Sequence, residues 1–185
     1  MEPESCAARV NILAVIDTEY IKSTHQNPSQ DMNKPTAIAS VGVHTICSGA
    51  SEIVYKQAGL SFVACHGNTM AFRGISIYNN SEDAVIVYRV KSTGSGHIFK
   101  GDIPVLTTRN GAVQPDPDSV EGGIPPVHTK MNFSSLNSTL ETSRKESFKV
   151  CFALYTLADD GQTQQLFGYF FYRWTLDITV QPENA

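Results

Sequence analysis

Apolar and polar residues alternate with a period of two along most of this chain, and the helical spacing of three and four is almost absent. The run "RVNILAVID" (9–17) is apolar on both faces, which predicts a central strand. "AIASVGVHTIC" (37–47), "SEIVYK" (51–56), "LSFVAC" (60–65), "TMAFRGISIY" (69–78) and "EDAVIVYRVK" (82–91) follow as strands, separated by Gly- and Asn-rich turns. In the last of these, Ala84, Ile86, Tyr88 and Val90 are expected to share one face. "STGSG" (92–96) predicts a turn before "HIFKGDIPVLTT". Near the far end, "SFKVCFALYTL" and the run from Gln164 to Val180 flank "ADDGQT", whose Asp-Gly pair is strong hairpin chemistry. A straight strand from Gln164 to Val180 would reach about 55 Å. A bend or bulge is therefore expected near Gly168 or around Arg173-Trp174.

Helical signal is confined to "NFSSLNSTLETSRKE" (132–146), where Leu136 and Leu140 are four apart. Its many Ser, Thr and Asn residues allow one short helix at most. Roughly eight to ten strands at short intervals predict an all-β fold, an antiparallel β-sandwich of jelly-roll-like type with two long loops. No repeat or linker divides the 185 residues, so one domain over 1–185 is expected, with a flexible N-terminus at 1–8.

The two long loops are 17–36 and 107–130. The second holds Asp116, Asp118 and Glu121 among prolines and glycines; the first holds Asp17, Glu19, Tyr20, His25 and Asp31. Loops on a rigid sandwich are where recognition usually sits. If both lie at one end, Asp17, Tyr20, Asp31, Asp116 and Asp118 become candidates for a small-ligand or carbohydrate site. The acids could also offer calcium oxygen ligands, but no EF-hand pattern is present. The alternative is that they cap turns by bonding their own backbone.

A net charge of −4 and a pI near 5.7 argue against nucleic acid or an anionic membrane as the main partner. The N-terminus lacks the basic region of a secretory signal, and the apolar run Val10 to Ile16 is far too short to span a bilayer. Cys6, Cys47, Cys65 and Cys151 are widely spread and never form CxxC. They read as small buried apolar residues in a reducing cytoplasm. His44 with Cys47, and Cys65 with His66, point to opposite faces of their strands, so no zinc site is expected. No GxSxG elbow is present, and Asp159-Asp160 sit in a predicted exposed turn. No catalytic residue, metal or cofactor is assigned.

Five blocks in order, "VIDTEYIK", "NPSQDMNKPT", "GISIYNNSEDAVIVY", "TRNGAVQPDPDS" with "GIPP", and "FALYTLADDGQTQQLFGYFFY", resemble the bacterial inclusion-body protein family typified by PixA and AidA. The resemblance runs from about residue 12 to 180 and fits less well over "AIASVGVHTICSGAS". It implies a cytoplasmic bacterial protein, expression linked to cell density, and packing into inclusions in some members. It brings no catalytic residue with it.

The strip "FGYFFYRW" (167–174) is aromatic on both parities. One face of a sandwich strand meets water, so Phe167, Tyr169 and Phe171 are expected to cover another subunit. The sequence thus predicts a non-enzymatic, self-associating protein whose main partner is itself. The alternative is a carbohydrate-binding module that uses the two long loops.

Overall fold

The computed structural model describes residues 9–94 and 98–181, with Asp102 described in its backbone only. The expectation for 1–8 falls outside these residues. The architecture is an all-β sandwich of a five-stranded and a six-stranded layer. Strands are β1 (Arg9–Ile16), β2 (Thr36–Ile38), β3 (Val43–Ser48), β4 (Ser51–Lys56), β5 (Gly59–Cys65), β6 (Thr69–Ser76), β7 (Ala84–Ser92), β8 (Phe99–Gln114), β9 (Val127–Leu140), β10 (Arg144–Leu157) and β11 (Gln164–Gln181). One layer runs β3-β1-β6-β9-β8. The other runs β4-β5-β11-β10-β7, with short β2 also against β11.

The sheets are mixed rather than wholly antiparallel. β1 lies parallel to β6, and β11 lies parallel to both β2 and β5. Parallel neighbours need long crossovers, and hairpin signals in a sequence cannot reveal them.

Period-two patterning builds the core. Val10, Ile12, Ala14 and Ile16 of β1 face Phe148, Val150, Phe152 and Leu154 of β10, and Phe170, Tyr172, Trp174, Leu176 and Ile178 of β11, across one buried cluster. Phe152 stacks on Phe170 with ring centres 5.6 Å apart, and Phe72 meets Trp174 edge-on at 6.5 Å. The outward residues of β1 are only half-buried, so its apolar character on both faces reflects its central place in the layer.

The expected bulge is found. Register between β10 and β11 shifts at Leu154/Tyr155, opposite the step from Gly168 to Leu166. A Cβ on Gly168 would stand 2.5 Å from Pro28, so only glycine admits the chain that crosses here. A second shift, at Cys151/Phe152 against β7, places an extra residue at Tyr88. Hence Val85 and Val90 both face inward although five apart, and Ala84, Ile86, Tyr88 and Val90 do not share one face.

Both expected loops contain secondary structure. The polar stretch after β1 contains the helix α1 (Thr18–Thr24). Half of the stretch 107–130 is strand: β8 continues to Gln114 and β9 begins at Val127, leaving 115–126 as the connection. The helix candidate within 132–146 is strand as well, since β9 runs through it to Leu140. Its Ser, Thr and Asn residues are poor in a helix but comfortable on a ladder with a wet face.

Cys47 and Cys151 are free and buried, and burial pushes the Cys47 thiol up to about 11. Cys65 is disulfide-bonded, which corrects the reading of all four cysteines as reduced apolar residues. Sequence spacing carries no information on which cysteines a fold brings together.

Candidate functional site

Three of the four acids of the expected loop site, Asp17, Asp31 and Asp116, are engaged in their own turns. Asp17 caps α1, its Oδ1 accepting from the Tyr20 amide at 3.0 Å. Asp31 Oδ1 accepts from the Asn33 amide at 2.9 Å, and Asp116 Oδ1 accepts from the Asp118 amide at 3.0 Å. Asp118 itself is exposed at the tip. Tyr20 packs against the core over Gly42, where an added Cβ would meet its ring at 2.8 Å. His25 ends α1 and lies edge-on to Phe170.

The two loops share no hydrogen bond among the described residues. Bonds from 17–36 reach Gly42, Tyr78, Tyr88, Arg89, Phe167 and Tyr169. Those of 115–126 all close within that turn, as in Ser119 Oγ to the Ile124 carbonyl. Of the five ligand candidates, Asp17, Asp31 and Asp116 cap turns, Tyr20 packs on the core and Asp118 is exposed; Asp17 and Tyr20 belong to α1 and its cap, and Asp116 and Asp118 to the β8–β9 turn. Among the described residues, no group of three His, Cys, Asp or Glu side chains stands close enough to hold a metal ion.

One ionic cluster does anchor the first loop. Lys22 of α1 reaches Asp83 at 2.8 Å and Glu19 at 2.7 Å, and the Asp83 side chain is almost wholly buried. Burial pulls the Lys22 ammonium down, but hydrogen bonds to Asp83 and Glu19 outweigh it and hold the pKa above its ordinary value.

The aromatic strip is half-covered from within the chain. Phe167 stacks on Phe170, and Tyr169 meets Tyr88 edge-on at 5.8 Å. Lys149 lies 4.7 Å over the Phe171 ring. Segment 28–33 crosses this outer face: the Tyr169 amide donates to the Ser29 carbonyl, Gln30 donates to the Phe167 carbonyl, and Tyr88 donates to the Met32 carbonyl. Phe167, Tyr169 and Phe171 are all half-buried, so the strip is roofed by residues that read as a free loop in the sequence.

Exposed apolar side chains gather elsewhere, on the β8–β9 hairpin. Ile103, Leu106, Val113, Val120, Ile124 and Phe133 are each about half-exposed or more, with Val120 at 99%. Pairing of β9 to β6 ends at Phe72↔Leu136, while pairing to β8 continues to Gln114↔Val127. The hairpin thus extends beyond the sheet as a two-stranded ribbon, with β8 open along its outer edge and β9 open from Val127 to Ser135. Nine residues of strand correspond to roughly 30 Å. Leu106 lies opposite Ser134 and Phe133 opposite Thr107, so these two apolar side chains occupy opposite faces. Period two was visible here only in part, because neither face of the ribbon is buried and the register shifts at Arg109/Ala112.

Two mixed layers, a helix-capped loop across one of them and a projecting ribbon define a β-sandwich with its most accessible apolar surface on one arm. The family model for the inclusion body protein, PixA, matches residues 8–180. The chain therefore belongs to the PixA inclusion body protein family. It is similar to the crystal structure of an inclusion body protein from Burkholderia cenocepacia J2315, with a TM-score of 0.79 and 28% identity over 97% of this chain and 100% of that one. No curated protein matches the chain significantly. Among the described residues, no helix is long and apolar enough to cross a membrane.

Proposed function

We propose that this chain is a non-enzymatic, self-associating protein of the cytoplasm, and that the β8–β9 ribbon is its assembly element. The observation that carries this reading is the combination of two open strand edges with exposed Ile103, Leu106, Val113 and Phe133 on the same arm. A two-stranded ribbon is marginal in water by itself. An open edge presents unpaired N–H and C=O groups that another strand can complete. A second copy offers the matching edge, and edge-to-edge pairing would cover apolar side chains on both faces. The location in the cytoplasm and a link to cell density belong to this reading through the family alone, and the cytoplasmic location requires the Cys65 disulfide to persist in a reducing compartment. The non-enzymatic part is supported by the candidate acids, which are spent on turn caps.

Sedimentation velocity from micromolar to near-millimolar protein, paired with hydrogen exchange, tests the proposal. Association should increase with concentration, and amides of 103–114 and 127–135 should gain protection in step. A monomer throughout, or association with the ribbon amides unchanged, would refute the role of the arm.

A further inference from the structure

A cavity of about 540 Å³ opens between the free edges of the two layers, where β7 of one sheet faces β8 of the other. Its volume falls in the range of small-molecule sites. Val90, Ile98, Phe99, Leu136 and Phe148 form apolar walls, and Ser92 supplies a hydroxyl. Arg89 and Lys91 also border it, but they alternate away from Val90 and Ser92, and Arg89 bonds Asn33 over the outer face.

Behind Ser92 stands Glu146 of β10, two residues from Phe148 and on the same inward face. Glu146 is only 7% exposed, a rare place for a carboxylate without a cationic partner. Its Oε1 accepts from Ser92 Oγ, while its buried Oε2 has no hydrogen-bond partner among the described residues. No ion pair reaches Glu146 among those residues either, although Lys22, Lys56 and Lys100 each find an acid. Glu146 is not itself among the lining residues, so a ligand would meet its charge through Ser92, and a cation beside that hydroxyl would offset the cost of burying an unpaired carboxylate.

We propose that this cavity binds a small amine: an apolar body between the sheet edges, and a primary ammonium held by Ser92 Oγ with the Glu146 carboxylate behind it. The one Ser92 proton faces both Glu146 Oε1 and the Gly94 carbonyl at 3.3 Å, its Oγ accepts from the Gly94 amide at 3.1 Å, and a second lone pair remains to take a ligand N–H. The negative charge behind the hydroxyl favours a cation over a neutral or anionic head group, because charge-assisted hydrogen bonds are about twice as strong as neutral ones. The apolar walls select a ring or short chain over a hydrated polyamine. This site is separate from the ribbon's tip and stands whether or not the protein self-associates.

Three probes with one phenyl body separate the possibilities: 2-phenylethylamine, 2-phenylethanol and 3-phenylpropanoate. Thermal melts and calorimetric titration of the full chain should show stabilisation by the amine, weaker binding of the alcohol and none of the acid. Glu146→Gln should weaken the amine roughly tenfold or more and leave the alcohol nearly unchanged. Ser92→Ala should weaken both. Each ligand shift is read against the same variant's unliganded melt, so a change in intrinsic stability does not mask the result. No amine binding to the wild type at millimolar probe would overturn the proposal. So would equal binding of acid and amine, equal binding of alcohol and amine, or full amine affinity in Glu146→Gln.

Discussion

Replacing Leu106 and Phe133 with lysine places one charge on each face of the β8–β9 ribbon without touching the sandwich core. Leu106 is 68% exposed and Phe133 49% exposed, so neither substitution removes much native packing. The monomer's melting temperature should therefore move little. If a second copy covers these side chains, the loss is readable from area. Full burial of a Leu or Phe side chain is worth about 1.5–3 kcal/mol. Scaled to the exposed fractions, Leu106 contributes roughly 1–2 kcal/mol and Phe133 roughly 0.7–1.5 kcal/mol. The double variant should then weaken association by about 2–3 kcal/mol, or roughly 30- to 160-fold in Kd. The positive charges, which also discourage edge pairing, can only add to this. Sedimentation velocity gives the Kd, and circular dichroism verifies the fold. The single variants report which face is covered: a loss confined to Leu106→Lys assigns the face it shares with Ser134, and a loss confined to Phe133→Lys assigns the other. Unchanged association in the double variant, with the fold intact, refutes the assignment of the ribbon.

The loop and its anchors supply further expectations. Asp17→Ala removes the α1 cap and should cost about 1 kcal/mol in denaturant unfolding, whereas Asp17→Asn should restore most of it. Lys22→Ala leaves the buried Asp83 carboxylate unpaired; because Lys22 itself is partly in water, a loss of about 2 kcal/mol is expected rather than the 3–5 of a fully buried pair. The Lys22 pKa is raised on folding, so its contribution is fully present below 10.5 and is lost as pH rises through the higher folded value. The gap between wild type and Lys22→Ala should thus hold steady near neutrality and narrow only in strong alkali. Gly168→Ala forces Pro28 away from a 2.5 Å contact, and should destabilise by about 1–3 kcal/mol while raising hydrogen exchange at the Tyr169 amide.

Strands with one buried face were the legible part of the sequence. β1 (Arg9–Ile16), with one face buried, lies within "RVNILAVID" as expected, and the Asp-Gly turn between β10 and β11 places both partners of that hairpin. β9 was hidden because its exposed half, Val127 to Ser134, has no core to impose alternation, and its Leu136/Leu140 spacing fits strand and helix alike. α1 was hidden for the opposite reason: one buried residue pair, Thr18 and Ile21, is too little apolar surface to announce a helix. The candidate site depended on adjacency, and the two loops share no hydrogen bond among the described residues. Acids that alternate in a loop sequence look like ligands, but Asp31 and Asp116 are held by local amides, the turn-capping role that the sequence favours over metal binding. Glu146 gave no signal at all, since one acid in an alternating strand is normally assumed to face water.

The parallel pairings also bear on when this protein can fold. β11, at 164–181, is the central strand of its layer and is hydrogen-bonded to β2, β5 and β10. Until residue 181 has been synthesised, β5 and β10 have no strand between them and that layer remains in two parts. During translation the apolar faces of β1, β5 and β10 are already made but cannot be closed into a core. Folding must wait for the long-range contacts, which makes it slow and leaves aggregation-prone edges exposed for the duration. The rate of chain completion, and the concentration of nascent chains, therefore help decide how much of this protein reaches its native sandwich.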